Sequence, residues 1–214
     1  MSRARASGEQ LSLVALDHEA KPASVRTWLD ETSWVDHVPG WWPDDRALMA
    51  ELERIATWEQ RTRWMYEQER IEPRLTAEYR VLADAPASLR AIGAALSTKY
   101  DVPYDSLWMN WYRDHHDSTA WHADRPCPGE QCIVPVLSLG ETRRFLMRRK
   151  EGGKSTPFVV RGGDLVVMGG RCQRDWVHCV PKETQPRAMR MSLNFGSSRQ
   201  ANAVPAGRRN GDER

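Results

Sequence analysis

The second half of the chain consists of short apolar or alternating runs separated by glycine, proline and aspartate. Runs of this length and spacing are typical of an all-β sandwich or barrel. In R-R-F-L-M-R-R (143–149), alternation assigns Phe145 and Met147 to one face and Arg144 and Arg148 to the other. We therefore predict strands at 107–113, 119–124, 132–139, 143–149, 157–161, 164–168, 175–180 and 189–195.

The first half has a mixed character, with helical periodicity in two segments. The segment 47–55 follows a capping aspartate at position 44 or 45, and the segment 88–100 is amphipathic. Ser24 is expected to cap a further short helix. The fold class predicted is mainly β with α, a jelly-roll-like core with N-terminal helices packed on it.

The length of 214 residues suits a single domain. We expect polar tails at 1–10 and 199–214 around one domain at 11–198, with a helical or mixed part at 11–105 and a β core at 106–198. The chain has no apolar run of membrane-spanning length and no apolar segment near its first residue, so we expect a cytoplasmic protein with no membrane contact. A monomer is the default expectation.

The four cysteines are Cys127, Cys132, Cys172 and Cys179. Without an export signal we expect reduced thiols rather than disulfides. A zinc site is the alternative, although the spacings C-x4-C and C-x6-C fit it poorly.

The stretch W-H-A-D at 121–124 places a histidine and an aspartate two residues apart at the end of a predicted strand. Residues two apart on a strand share a face, so His122 and Asp124 can converge on one point. His178 is the one histidine beyond this stretch. Two histidines and a carboxylate are the ligands of non-haem iron(II) oxygenases, but zinc hydrolases, a structural histidine, or ligation by His115 or His116 are alternatives.

Arg190 begins the run R-M-S-L-N-F and shares one strand face with Ser192 and Asn194. An arginine on a buried face is unfavourable unless an anion accompanies it. A dicarboxylate co-substrate would provide that anion through a bidentate contact, and a structural salt bridge is the alternative.

Ordered blocks of sequence between Pro73 and Phe195 carry a resemblance to a known family. Each block is short, but their order is specific. The blocks are P-R-L-T (73–76), N-W-Y-R-D (110–114), W-H-A-D (121–124), L-S-L-G-E-T-R-R-F (137–145), G-G-D-L-V-V-M-G-G (162–170), W-V-H-C-V-P-K (176–182) and R-M-S-L-N-F (190–195). The chain resembles the AlkB family of Fe(II)- and 2-oxoglutarate-dependent dioxygenases, in particular a bacterial, actinobacterial-like branch.

The resemblance implies a double-stranded β-helix core and oxidative dealkylation of N-methylated bases in DNA. The cofactors implied are Fe(II), 2-oxoglutarate and O2, and the products released are formaldehyde, succinate and CO2. Iron would be held by His122, Asp124 and His178. The co-substrate would be held by Asn110, Tyr112, Arg190, Ser192 and Asn194.

A flipped or single-stranded base requires further contacts. The residues expected at the substrate are Arg74, Tyr79, Trp121 and Trp176, and those expected at the nucleic-acid backbone are Arg143, Arg144 and Arg148. RNA, a protein side chain or a small molecule are alternative substrates, and a nucleic-acid-binding module without turnover is a further alternative.

The chain departs from the family pattern at three positions that matter for binding. Gly196 stands where the family has a second arginine for 2-oxoglutarate, and Ser192 replaces an asparagine. Pro126 stands where many members have an acidic residue that handles the base.

Overall fold

The computed structural model describes residues 23–65, 68–124 and 131–201, without the side chains of residues 63–65. The strands are β1 Val25–Trp28, β2 Ser33–Val38, β3 Thr62–Met65, β4 Gln68–Ile71, β5 Leu75–Tyr79, β6 Ser106–Tyr112, β7 Thr119–His122, β8 Val134–Gly140, β9 Arg143–Arg149, β10 Gly152–Val160, β11 Leu165–Gly170, β12 Trp176–Val180 and β13 Arg190–Gly196. The helices are α1 Asp45–Ile55, α2 Ala87–Tyr100, α3 Cys172–Asp175 and α4 Ser198–Ala201, with a 3-10 turn at Leu82–Asp84.

Two antiparallel sheets form the body of the molecule. The larger has seven strands in the order β1-β2-β11-β8-β13-β6-β5, and the smaller has four in the order β10-β9-β12-β7. A separate hairpin pairs β3 with β4. The strands predicted in the second half are confirmed as β6 to β13, and their non-sequential neighbours produce the jelly-roll arrangement.

Alternation along the central strands creates two cores on opposite faces of the larger sheet. Leu137 and Leu139 of β8 belong to the cluster that also contains the buried residues of the helices. Val136 of the same strand belongs to a second cluster, with Phe145 and Met147 of the smaller sheet. The second cluster therefore lies between the two sheets, and side chains of that parity point into the interior.

The two predicted helices cover the outer face of the larger sheet. Asp44 caps α1, where its carboxylate accepts a hydrogen bond from the backbone N–H of Ala47 at 3.3 Å. Leu52 of α1 and Ile92 of α2 are fully buried in the cluster on that face. Mainly β structure with N-terminal helices packed on it is thus confirmed.

The N-terminal part contains strands that the sequence pattern did not predict. A helix was expected after Ser24, but residues 25–28 form β1, because each pairs with a residue of β2. β1, β2 and β5 extend the larger sheet at its two edges. β2 and β5 pair with strands distant in sequence, β11 and β6, so local periodicity carries little signal for them.

The described chain continues as α4 past residue 198, the expected end of the domain. Gln200 in α4 forms two hydrogen bonds to the backbone of Ile133, accepting from its N–H at 2.7 Å and donating to its C=O at 3.0 Å. The expected tail at 1–10 and the rest of the tail from residue 202 lie outside the described residues. In the part of the chain that the structure describes, no helix is long and apolar enough to span a membrane.

The cysteines follow the expectation only in part. Cys172 and Cys179 are buried free thiols, and burial raises the pKa of Cys172 to about 12 and that of Cys179 to about 11. Cys132 is disulfide-bonded, which corrects the expectation of reduced thiols at that residue. Cys127 lies outside the described residues.

We predict that Leu137→Ala destabilises the fold by about 2–5 kcal/mol, because it removes methyl groups from a fully buried site and leaves a cavity. Denaturant unfolding measures the change in the free energy of unfolding. Val159→Ala on the surface, where the side chain is 54% exposed, should change it by less than about 0.5 kcal/mol. Equal effects of the two substitutions would contradict the assigned core.

Candidate metal centre

Three side chains converge where β7 ends. His178 of β12 is the cross-strand partner of His122. Oδ1 of Asp124 lies 3.8 Å from Nε2 of His122 and 3.7 Å from Nε2 of His178. One ligand atom from each residue lies within 4.8 Å of the other two, so the three can surround one metal ion.

A β-bulge in β7 directs His122 toward the interior. In β12, His178 and Val180 are two residues apart. Their partners in β7, His122 and Thr119, are three residues apart. The extra residue in β7 lets Thr119 and His122 face the same side. Thr119 is hydrogen-bonded there to Tyr112, with 2.7 Å between the two hydroxyl oxygens.

The protonation of both imidazoles suits metal binding. Nδ1 of His122 lies 2.8 Å from the carbonyl oxygen of Ala120. A carbonyl only accepts, so Nδ1 carries a proton and Nε2 is the nitrogen left to bind a metal. Burial lowers the pKa of His178 to about 4, so this imidazole is neutral near pH 7.

Beside the metal ligands, the neighbouring strands β6 and β13 of the larger sheet carry a group of polar side chains that point into the interior. Arg190 pairs with Tyr112 and Ser192 pairs with Asn110 across the two strands. Asn110 donates through Nδ2 to Oγ of Ser192 at 3.1 Å, and Asn194 donates to the carbonyl of Trp108 at 3.1 Å. All five residues predicted to hold the co-substrate therefore lie on adjacent strands.

The guanidinium of Arg190 is buried without a counter-charge among the residues that the structure describes. Its Nε donates to Oγ of Ser138 at 2.8 Å, whereas the buried Nη1 has no hydrogen-bond partner there. Burial lowers the pKa of Arg190, since desolvation disfavours the charged form. Among the described residues, no carboxylate forms a structural salt bridge with Arg190. A bound anion could accept a hydrogen bond from the unpartnered Nη1.

Two residues expected at the substrate lie within the body of the protein. Arg74 is buried and donates through Nε to Oδ1 of Asn110 at 2.8 Å. It therefore lies beside the predicted co-substrate residues rather than over them. Trp176 lies in the cluster between the sheets, and its indole N–H donates to Asp30 at 2.9 Å.

The other two residues expected at the substrate point away from the interior. Tyr79 packs against the cluster on the helix side of the larger sheet. This corrects its predicted place, because Thr76, of opposite parity in β5, is the residue that pairs with Asn110. The guanidinium of Arg148 lies 4.3 Å from the centre of the Trp121 ring, on the outer face of the smaller sheet.

The three arginines expected at the nucleic-acid backbone differ in their surroundings. Arg143 is 1% exposed, and its guanidinium donates to the carbonyl oxygens of Asp114, Asp117 and Pro181 at 2.7–3.0 Å. Arg143 is therefore a structural residue, which corrects its assignment. Arg144 forms an exposed ion pair with Glu183 at 3.1 Å, and Arg148 stacks on Trp121.

Sequence reasoning missed two buried partners of the site. Ser138 supports Arg190, and its signal was a polar residue within the apolar run 132–139. Gln173 in α3 is hydrogen-bonded to Asp124, and no pattern in the sequence marks it, because the contact joins residues 49 positions apart.

Asp114, His115 and His116 form a second group with metal-ligand chemistry. The three residues are consecutive in a turn, and the side chains of Asp114 and His116 are exposed. His115 and His116 remain the alternative ligands that the sequence suggested. The side chain of His116 is 72% exposed, whereas that of His178 is 7% exposed.

Comparison with protein families gives a match to the 2OG-Fe(II) oxygenase superfamily over residues 13–200. "Alpha-ketoglutarate-dependent dioxygenase alkB homolog 3" of Homo sapiens is 33% identical over 171 residues, covering 69% of this chain and 59% of that protein. The protein of that name from Rattus norvegicus is 42% identical over 103 residues, covering 43% of this chain and 35% of that protein.

The "DNA oxidative demethylase ALKBH2" of Arabidopsis thaliana is 30% identical over 116 residues, covering 43% of this chain and 37% of that protein. The matches thus span less than two thirds of the length of each of these relatives.

Solved structures resemble the fold. The structure of OsALKBH1 has a TM-score of 0.55 at 16% identity, covering 81% of this chain and 100% of that chain. An oxidoreductase of the 2OG-Fe(II) oxygenase family from Burkholderia pseudomallei has a TM-score of 0.52 at 13% identity, covering 79% of this chain and 89% of that chain. At these identities the likeness concerns the fold alone.

We predict that His122→Ala abolishes tight binding of one Co(II) ion, because the site loses one of its three protein ligands. His116→Ala is the matched control, since it removes a histidine from the other candidate cluster. Titration of the metal-free protein with Co(II), followed by visible absorption, measures both. The reverse ranking would move the metal centre to the turn at 114–116.

Proposed function

Because the chain belongs to the AlkB group of the 2OG-Fe(II) oxygenase superfamily, we propose that it oxidatively dealkylates N-methylated bases in DNA. The proposal rests on two groups that share one interior. One is a cluster of two imidazoles and a carboxylate, and the other is the Arg190 guanidinium, which has no described counter-charge. The first part suits Fe(II), and the second suits the carboxylate of 2-oxoglutarate.

His122, Asp124 and His178 would hold the iron. Their donor set fits Fe(II), since two imidazoles and one carboxylate leave positions open for other ligands. Bound iron would supply the O2-dependent oxidation of the alkyl carbon, coupled to conversion of 2-oxoglutarate to succinate and CO2, with the carbon released as formaldehyde. The protein's own groups bind and orient the reactants around it.

Arg190 would bind the carboxylate of 2-oxoglutarate that lies away from the metal, through the Nη1 donor that has no described partner. Asn110 and Tyr112 line the same interior face of β6. Gly196 leaves β13 without a second guanidinium. A second buried guanidinium on this side belongs to Arg74, which is hydrogen-bonded to Asn110, and we assign Arg74 to the co-substrate pocket through that contact.

A methylated base reaches a buried metal only when it is outside a base stack, so the substrate is single-stranded DNA or a flipped base. His178 is 6% exposed, whereas the side chain of His122 is 36% exposed, and the base would therefore approach from the His122 side. Arg148, stacked on Trp121 next to His122, and Arg144 on the same face would contact phosphates. The name of the Arabidopsis relative supports DNA as the polymer.

The test is incubation of purified protein with Fe(II), 2-oxoglutarate, O2 and a single-stranded oligonucleotide that carries 1-methyladenine or 3-methylcytosine. Mass spectrometry follows the methyl group, and His122→Ala is the control. We expect methyl loss that requires both Fe(II) and 2-oxoglutarate and disappears in the variant.

Other outcomes separate the alternatives. Succinate formation without methyl loss would indicate that the substrate is RNA, a protein side chain or a small molecule rather than DNA. Oligonucleotide binding with neither product would indicate a nucleic-acid-binding module without turnover.

We predict that Arg190→Met weakens 2-oxoglutarate binding to the Mn(II)-loaded protein by about 10- to 100-fold, because a hydrogen bond to a charged group contributes about 1.5–3 kcal/mol. Isothermal titration calorimetry measures the dissociation constant. Arg144→Met, the same substitution at an exposed arginine, should leave it unchanged.

The stability of the metal-free protein distinguishes a co-substrate-binding role of Arg190 from a structural role. Arg190→Met removes a buried charge that no described carboxylate compensates, so the free energy of unfolding should not fall. Strong destabilisation with unchanged 2-oxoglutarate affinity would make Arg190 a structural residue.

A further inference from the structure

Gln173 contacts Asp124 at two points. Its Oε1 accepts a hydrogen bond from the backbone N–H of Asp124 at 2.8 Å, and its Nε2 donates to Oδ2 of the Asp124 carboxylate at 3.1 Å. The first contact fixes the orientation of the amide, because only Oε1 can accept from an N–H. Nε2 must then face the carboxylate.

The contact divides the two carboxylate oxygens of Asp124 between different partners. Oδ2 is bound by Gln173, whereas Oδ1 is the oxygen nearest to Nε2 of both His122 and His178. We propose that Gln173 is a positioning residue that makes Asp124 a monodentate metal ligand through Oδ1. The inference rests on the metal centre of the proposed function.

The position of Gln173 makes this contact rigid. The side chain is 3% exposed, so water does not compete for its amide. It lies in α3, directly before β12, and the segment 172–178 thus provides both the amide that holds Asp124 and the ligand His178. Hydrogen bonds to a metal-binding side chain orient that side chain, and their removal commonly lowers metal affinity by about 10- to 100-fold.

Monodentate binding matters because the reaction needs open positions on the metal. A metal held through one atom from each of the three residues would keep positions open for the co-substrate and O2. A carboxylate that bound through both oxygens would occupy one of these positions. Gln173 would therefore preserve the place of a reactant as well as the affinity for the metal.

The test compares Gln173→Met with the wild-type protein in Co(II) titrations. The substitution keeps the length of the side chain and removes both hydrogen bonds. We expect the dissociation constant for Co(II) to rise about tenfold or more. We also expect an altered visible spectrum, because the freed Oδ2 can enter the coordination sphere, and a purely structural role would not change that spectrum.

Gln200→Met is the matched control, since Gln200 makes the same two-point contact with the backbone of Ile133. It should leave both the Co(II) affinity and the spectrum unchanged. A Co(II) affinity of Gln173→Met within twofold of wild type, with the same spectrum, would overturn the proposal.

A crystal structure of the wild-type protein with Mn(II) tests the geometry without relying on the folding of a variant. We expect Oδ1 on the metal and the contact between Nε2 and Oδ2 retained. Bidentate binding, or Gln173 turned away, would refute the inference and leave the iron site intact. Failure of the wild-type protein to bind Co(II) or Mn(II) at all would instead remove the metal centre on which both proposals rest.

Discussion

The pairing of β7 with β12 determines what this molecule can do. It places His122 opposite His178, and the bulge after Thr119 directs His122 into the interior. Asp124 follows two residues later, where the strand has ended and the backbone is free to turn its carboxylate toward both imidazoles. A regular ladder would place His122 on the opposite face from Thr119, so the irregularity is what permits a three-residue ligand set.

The interior between the sheets contains buried polar groups beside its apolar cluster. Arg190 and Asn110 are buried on neighbouring strands, and Arg190 retains a donor without a described partner. Burying a charge in this way is unfavourable for folding unless a ligand compensates it. One dicarboxylate held by the metal at one end and by the guanidinium at the other, as we propose, would account for both features with a single bound molecule.

The sequence predicted the parts of the molecule that depend on local periodicity. Alternation located the core strands and placed Arg190 on an inward face, and the spacing of His122 and Asp124 indicated a metal pair. Features that depend on distant pairing were not predictable in this way. β2 and β5 pair with strands far along the chain, and the same limitation misplaced Tyr79, whose face depends on the register of β5 with β6.

The measurement that most directly tests the account is anaerobic visible absorption of the Fe(II)-loaded protein on addition of 2-oxoglutarate. Chelation of the keto acid by iron at the three-residue site predicts a new charge-transfer band. The band should be absent in His178→Ala and should require a higher 2-oxoglutarate concentration in Arg190→Met. Iron that binds without producing a band would contradict a joint site for the metal and the co-substrate.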